Sequence, residues 1–145
     1  MTSLLIEVAL ALGMMTDTQL EFLPVSEVVC LADNIYHEAR GEEPKGQFAV
    51  AYVTMNRAAD DRWPDSICEV VHQDDQFSWT KDVPVEVKEP GAYESAVVIA
   101  LIVMSGVGKD PTNGATFFYN PDKVAPGWSR SFEVAAIIGN HKFLR

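Results

Sequence analysis

The densest run of chemically capable side chains in this 145-residue chain is Tyr36-His37-Glu38-Ala39-Arg40-Gly41-Glu42-Glu43. Glu38 follows Ile35 and Tyr36 near the apolar face of a helix. A carboxyl held against aromatic surface ionises less readily, so its pKa rises. A proton kept at neutral pH is what a general acid needs. The same run also reads as an ordinary solvated helix end with Glu and Arg in mixed pairs. Glu38 and Glu42 need not share a face, because Gly41 breaks the helix between them. A second mixture occurs at Gln76-Phe77-Ser78-Trp79 and recurs at Tyr119-Asn120-Pro121, with Trp128 nearby. Rings beside amides and hydroxyls suit a bound sugar. They also suit loop aromatics plugging a satellite core. Two such loops and one candidate acid fit a cleft for a polar polymer.

Other chemistries find no support. His37-Glu38 would open a zinc HExxH motif only with a histidine at position 41, which is Gly41. His72 and His141 have no ligand-like spacing, and Cys30 and Cys68 form no CxxC, so no metal site or cofactor is expected. Ser78 and Ser105 lie in no GxSxG context. Gly106–Gly108 ends a helix rather than opening one, so a nucleotide site is not expected. The net charge of -10 gives no attraction for a phosphate backbone or an anionic lipid surface. No apolar run reaches the roughly 20 residues of a membrane span, and no anchor or lipidation motif is visible. The two cysteines fit either two buried thiols or one disulfide in a protein working outside the cytoplasm.

The elements that must position these residues follow from periodicity. Leu4, Leu5, Val8, Leu12 and Met15 predict a first helix rather than a secretory signal, since no positive n-region precedes them and Glu7 interrupts the apolar stretch. After a connector over 17–25, Ser26 is the expected N-cap of a helix whose apolar face is Val29, Ala32, Ile35, Tyr36 and Ala39, with Gly41 closing it. Pro44 opens a helix to about Ala59, apolar almost all round and hence central. Asp65 or Ser66 caps a short helix through Val71. A polar loop covers 72–90. Gly91 or Ala92 starts a long apolar helix ended by Gly106. Asp110-Pro111-Thr112-Asn113-Gly114 is a turn, and Ala115–Tyr119 a short strand. Val134–Ile138 is a last apolar segment. The chain reads as one mostly α domain over 1–145 with a small β element.

The motifs together resemble a known family. Ile35-Tyr36-His37-Glu38-Ala39-Arg40-Gly41-Glu42, then Gly46-Gln47, Ala49-Val50-Ala51 and Asn56-Arg57, resemble the SleB-like cell-wall hydrolases, the family of spore cortex-lytic enzymes and related bacterial and phage hydrolases. The order continues through Trp63-Pro64, Ile67-Cys68, Val70-Val71, Gln76-Phe77-Ser78, Asp110-Pro111-Thr112, Gly114-Ala115, Tyr119-Asn120-Pro121 and Gly139-Asn140-His141-Lys142-Phe143. The match runs from about Val28 to Phe143, and residues 1–25 are an N-terminal extension outside it.

The resemblance implies a lysozyme-like α+β fold related to lytic transglycosylases. It implies cleavage of the β-1,4 bond between N-acetylmuramic acid and N-acetylglucosamine in peptidoglycan, with Glu38 catalytic. It places Gln76, Phe77, Ser78, Tyr119 and Asn120 near the cleft as substrate contacts. Arg40 is expected to be structural, pairing with a carboxylate and holding the motif's backbone. Glu42 is expected as a helper, through the substrate or as Arg40's partner. The short form resembles a monomeric phage lysis enzyme, an endolysin, made in the host cytoplasm and acting on the wall or in the periplasm. Both cysteines flank family blocks, so a Cys30–Cys68 disulfide formed in that oxidising compartment is expected. Two-carboxylate hydrolysis would need a partner for Glu38, and Glu42, Glu43 and Asp75 are the candidates. A lytic transglycosylase needs Glu38 alone, and that route is the expectation. The rivals are a non-catalytic peptidoglycan-binding module and a wall amidase or peptidase.

Overall fold

The computed structural model describes residues 24–74, 76–81 and 86–145. The helix expected over 4–15, most of its connector, and Asp75 lie outside the described residues. Among the described residues are helices α1 (Val25–Ala39), α2 (Pro44–Ala58), α3 (Ile67–Val71) and α4 (Pro90–Ser105). They are followed by strands β1 (Phe117–Tyr119), β2 (Val134–Ile138) and β3 (His141–Leu144). One 3-10 turn, Ser78–Lys81, falls in the long polar loop, and another, Gly127–Ser131, follows β1.

Helix α1 is the spine. Val28, Leu31, Ala32, Ile35, Tyr36 and Ala39 recur at three- and four-residue steps and are all buried, the stripe of a helix that faces a core. Each large side chain in it contributes roughly 1.5–3 kcal/mol by leaving water. Three helices pack on α1: α4, α2 and α3. Polar ties fix their relative heights. The Glu27 carboxylate accepts from the N–H groups of Ile67 and Cys68 at 2.6 and 3.3 Å, where α3 begins. The Asn34 amide donates to Thr54 Oγ1 at 3.1 Å, joining α1 to α2. The Tyr93 hydroxyl donates to Asp33 at 2.7 Å, and the Tyr36 hydroxyl accepts from the N–H groups of Lys88 and Glu89 at 2.9 and 3.0 Å, so both ends of this contact hold α4. Cys30 and Cys68 form a disulfide with Cα atoms 5.2 Å apart.

Helix ends differ in detail from the sequence reading. Ser26 is not the N-cap. Pro24 occupies that position and its carbonyl accepts from Val28 N–H at 3.0 Å, so α1 starts one residue before Ser26. Helix α1 stops at Ala39 with Arg40 as C-cap, and Gly41 does not take the left-handed conformation expected of a closing glycine. Ser66 does cap α3, accepting from Glu69 N–H, and Gly106 does close α4 at φ 78°. Helix α4 begins at Pro90, whose missing N–H costs nothing in a first turn.

The small β element is a three-stranded antiparallel sheet in the order β1-β3-β2. The segment 134–138, left unassigned by its pattern, is β2, and the closing 141–144 block is the central strand. Gly139-Asn140 makes a two-residue hairpin with Gly139 at φ 56°, a backbone state that favours glycine. Two consecutive α2 residues dock this sheet. Asn56 Nδ2 donates to Asp110 Oδ2 and to the Ala115 carbonyl, both at 2.9 Å, and Arg57 Nε donates to the Thr116 carbonyl at 2.7 Å.

The disulfide joins residues 38 apart, a loop worth about 4 kcal/mol in the chain-entropy account. We expect the Cys30→Ser/Cys68→Ser double variant to lose roughly 2–4 kcal/mol of stability, measured as a lower urea midpoint. Reductant should bring the wild type toward that midpoint and leave the double variant where it is.

Candidate active site

Glu38 sits in the last turn of α1, half-buried. Burial raises its carboxyl pKa above the ordinary 4.5. The helix dipole acts in the same direction, because the C-terminal end of α1 carries partial negative charge. Two cavities meet at this carboxyl. One, of about 620 Å³, is lined by Glu38, Arg57, Gln76, Phe77, Phe117 and Phe132. The other, of about 760 Å³, is lined by Glu38, Glu42, Ser78, Tyr119, Asn120 and His141. Phe118 and Trp128 line both. The fold therefore brings all five candidate substrate contacts to one cleft, Gln76 and Phe77 on one side of Glu38, and Ser78, Tyr119 and Asn120 on the other. Phe77 serves two ends, since it is 5% exposed and also packs in the main core.

Glu42 does not pair with Arg40. Its Oε1 lies 3.4 Å from His141 Nδ1, at the start of β3. Burial lowers the His141 pKa, against a raising effect of Glu42 and a further lowering by Lys123. The imidazole is thus neutral at neutral pH, and the contact is carboxylate to uncharged ring. Two glycines make room for this carboxylate. A Cβ on Gly139 would lie 2.9 Å from Glu42 Oε2, and one on Gly46 3.2 Å from Glu42 Cβ. Arg40 instead places its guanidinium 4.7 Å over the Tyr36 ring and 3.5 Å from Glu89, in an exposed pair that contributes little. The backbone of the motif is held by other groups: Glu42 N–H donates to the Ala39 carbonyl at 2.9 Å, and Gln47 Nε2 donates to the Glu42 carbonyl at 3.0 Å. Glu43 is exposed at the N-cap of α2.

Sequence reasoning did not single out several groups that line the cleft. Arg57 appeared only inside a family block, yet it is almost wholly buried beside the Glu38 cavity. His141 was set aside for want of ligand spacing and is Glu42's partner. Phe117 and Phe118 read only as part of a short strand, and Phe132 was not singled out. Their rings form two groups: Phe117 meets Phe132 and Trp128 with centroids 4.4 and 5.4 Å apart, and Phe118 meets His141 at 5.5 Å. A density of aromatic residues between 117 and 132 was the available signal.

Residues 41–144 match the Cell Wall Hydrolase family. The chain belongs to that family. The matched span opens three residues after Glu38, and sequence relatives extend across it. The spore cortex-lytic enzyme of Halalkalibacterium halodurans is 34% identical over 118 residues, 81% of this chain and 34% of that protein. The spore cortex-lytic enzyme of Oceanobacillus iheyensis is 30% identical over 120 residues, 83% of this chain and 42% of that protein. This chain thus spans about a third to two-fifths of the length of these curated relatives. Among solved structures, the catalytic domain of the germination-specific lytic transglycosylase SleB from Bacillus anthracis superposes with a TM-score of 0.68 at 28% identity, covering 82% of this chain and 93% of that domain. The SleB catalytic domain of Bacillus cereus gives the same TM-score and identity, with 82% and 89% covered. This family member shares their lysozyme-like α+β fold.

The raised Glu38 pKa links ionisation to stability with a definite sign. A carboxyl whose folded pKa exceeds its unfolded one contributes stability that is complete below the ordinary value of 4.5 and is lost as pH rises through the folded value. Glutamine mimics the protonated form at every pH. We expect Glu38→Gln to match the wild-type Tm in acid and to exceed it at neutral pH. Calorimetry across that range checks this, and a lower Tm at neutral pH would contradict it.

Proposed function

We propose that this chain cleaves the glycan strands of peptidoglycan at the β-1,4 bond between N-acetylmuramic acid and N-acetylglucosamine, with Glu38 acting in turn as acid and base of a lytic transglycosylase. The observation that carries this reading is a carboxyl raised in pKa by burial at the junction of two cavities lined with rings and hydrogen-bonding side chains. A glycan strand crossing both would present its scissile oxygen to Glu38. The carboxylic acid protonates that oxygen as the bond to the muramic C1 breaks. The resulting carboxylate then takes the proton of the same sugar's 6-hydroxyl as O6 bonds to C1, which closes a 1,6-anhydro ring and returns Glu38 to its starting state. No water is consumed.

Hydrolysis would need a second carboxylate about 5–5.5 Å or 6.5–9.5 Å from the first. Of the three candidates, Glu42 is engaged with His141, Glu43 is exposed at the N-cap position of α2, and Asp75 is outside the described residues. The positions of Glu42 and Glu43 support the single-glutamate route. The relatives add support, being named cortex-lytic enzymes and, for the matched domain, a lytic transglycosylase. Among the described residues no group of three His, Cys, Asp or Glu stands together as a metal site. We place the enzyme's work at the wall, in an oxidising compartment that suits the Cys30–Cys68 bridge. A monomeric phage lysis enzyme, made as the dithiol and oxidised after release, is the finer form of this proposal.

On purified peptidoglycan, Glu38→Gln should lose at least ~10²-fold in rate while staying folded. The wild-type rate should fall as pH rises through the Glu38 pKa. Mass spectrometry of the wild-type digest should give anhydro ends, one water lighter than reducing ends. Reducing ends would move the mechanism to hydrolysis, and an active Glu38→Gln enzyme would remove Glu38 from the chemistry.

A further inference from the structure

Arg57 carries more hydrogen-bonding capacity than the fold uses. Its residue is 6% exposed, yet its side chain lines the cavity that also holds Glu38. Nε donates to the Thr116 carbonyl at 2.7 Å and Nη1 to Gln76 Oε1 at 3.2 Å. A guanidinium has five N–H donors. Among the described residues no carboxylate pairs with it, and Nη2 has no partner while not being sealed from solvent. Burial pulls its pKa down to about 10, so it is still a cation at neutral pH. The rings of Trp63, Phe77 and Phe117 stand 5.5, 5.9 and 5.7 Å from its guanidinium carbon. A desolvated cation with donors left over is costly until an acceptor arrives.

We propose that Arg57 anchors an acetamido subsite, in which its unused guanidinium edge donates to the carbonyl oxygen of a sugar N-acetyl group while the methyl packs on Phe117 and Phe132. The two acceptors Arg57 already holds are both amide carbonyls, one from the backbone and one from Gln76. The aromatic wall favours a neutral group ending in a methyl over an ionised one. The subsite also explains why a cation sits in a cleft whose reaction builds positive charge at C1: its task is to hold the sugar by a group away from the reacting bond. Arg57 is then a specificity residue as well as the dock for β1. The inference rests on the peptidoglycan reading, since N-acetyl groups are what both sugars of that polymer share.

The test compares kcat/KM on N-acetylated glycan strands with kcat/KM on the same strands chemically de-N-acetylated, with re-acetylated strands as the control. Wild type, Arg57→Lys and Arg57→Met are each measured on both. The ratio is taken within one preparation, so a fraction of unfolded variant cancels. Where turnover is too slow, the same ratio is read as binding in the Glu38→Gln background. We expect the wild type to prefer acetylated strands by at least about tenfold, the scale of a hydrogen bond to a charged group. Arg57→Met should lose that preference to within about twofold. Arg57→Lys should keep only part of it, because an ammonium lacks the planar fork. A wild-type ratio retained in Arg57→Met, or no preference in the wild type, overturns the subsite and leaves Arg57 as a structural dock. No cleavage of acetylated strands by the wild type would overturn the peptidoglycan reading first and the subsite with it.

Discussion

Partial burial raises the Glu38 pKa above its ordinary value, and the packing along α1 sets that burial. Glu38 is half-buried because α1 is packed along its length by α2, α3 and α4, so that its last turn leaves the core at the edge of the cleft. The ties that hold α1 are distributed along it: Glu27 and Cys30 to α3, Asp33 and Tyr36 to α4 and the residues before it, Asn34 to α2. The same burial makes the ionised form of Glu38 destabilising, a cost that falls on the native state where the chemistry needs it.

The wall facing Glu38 is built from the other end of the chain. Asp110 organises the turn before β1: burial works to raise its pKa, but hydrogen bonds from Thr112, Asn56 and Gly114 outweigh that and hold the carboxylate below its ordinary value. Asn56 and Arg57 then pin consecutive carbonyls, Ala115 and Thr116, to α2. That registers β1, and β1 carries Phe117, Phe118 and Tyr119 to the cleft. Strand β3 pairs with β1 and brings His141 against Glu42. The loop after α1 is thus clasped by a hairpin about a hundred residues away in sequence, and positive-φ Gly139 at its tip is the position that lets the Glu42 carboxylate fit.

The helices were legible in the sequence because their signals are local. The three- and four-residue spacing of α1, the near-continuous apolar run of α4, the Ser66 cap and the Gly106 stop all act within a turn or two. Glu38 was open to the same local reading, beside that of a solvated helix end, and its assignment to catalysis came only as what the family resemblance implies. Strand β3 was not. Four residues with the pattern His-Lys-Phe-Leu acquire strand identity only from partners 117–119 and 134–138. The Glu42–His141 contact and the burial of Arg57 are also long-range facts. A lone arginine on an apolar helix leaves no local trace of whether its guanidinium reaches water or turns into a cavity. Ser26 failed as a cap because the proline two residues before it already supplied a suitable φ and a free carbonyl.

The charges gathered in the cleft bear on the order of chemical events. Glycosidic cleavage develops positive charge at C1, yet of the groups lining the two cavities, Arg57 and Lys123 are cations and His141 is held neutral by burial. The Glu42 carboxylate is turned to that imidazole. On the proposed reading, Glu38 adds counter-charge of its own once its proton has left for the glycosidic oxygen, beside the Glu42 carboxylate on the same cavity. The aromatic faces of Phe118 and Trp128, which line both cavities, add the weaker attraction of a π-system for a cation. One group is then acid and base in sequence. Such an economy favours a nucleophile that the substrate delivers already positioned, because an attached hydroxyl needs no second carboxylate to bind and orient it. On the proposed reading, a single acid and an internal 6-hydroxyl nucleophile go together.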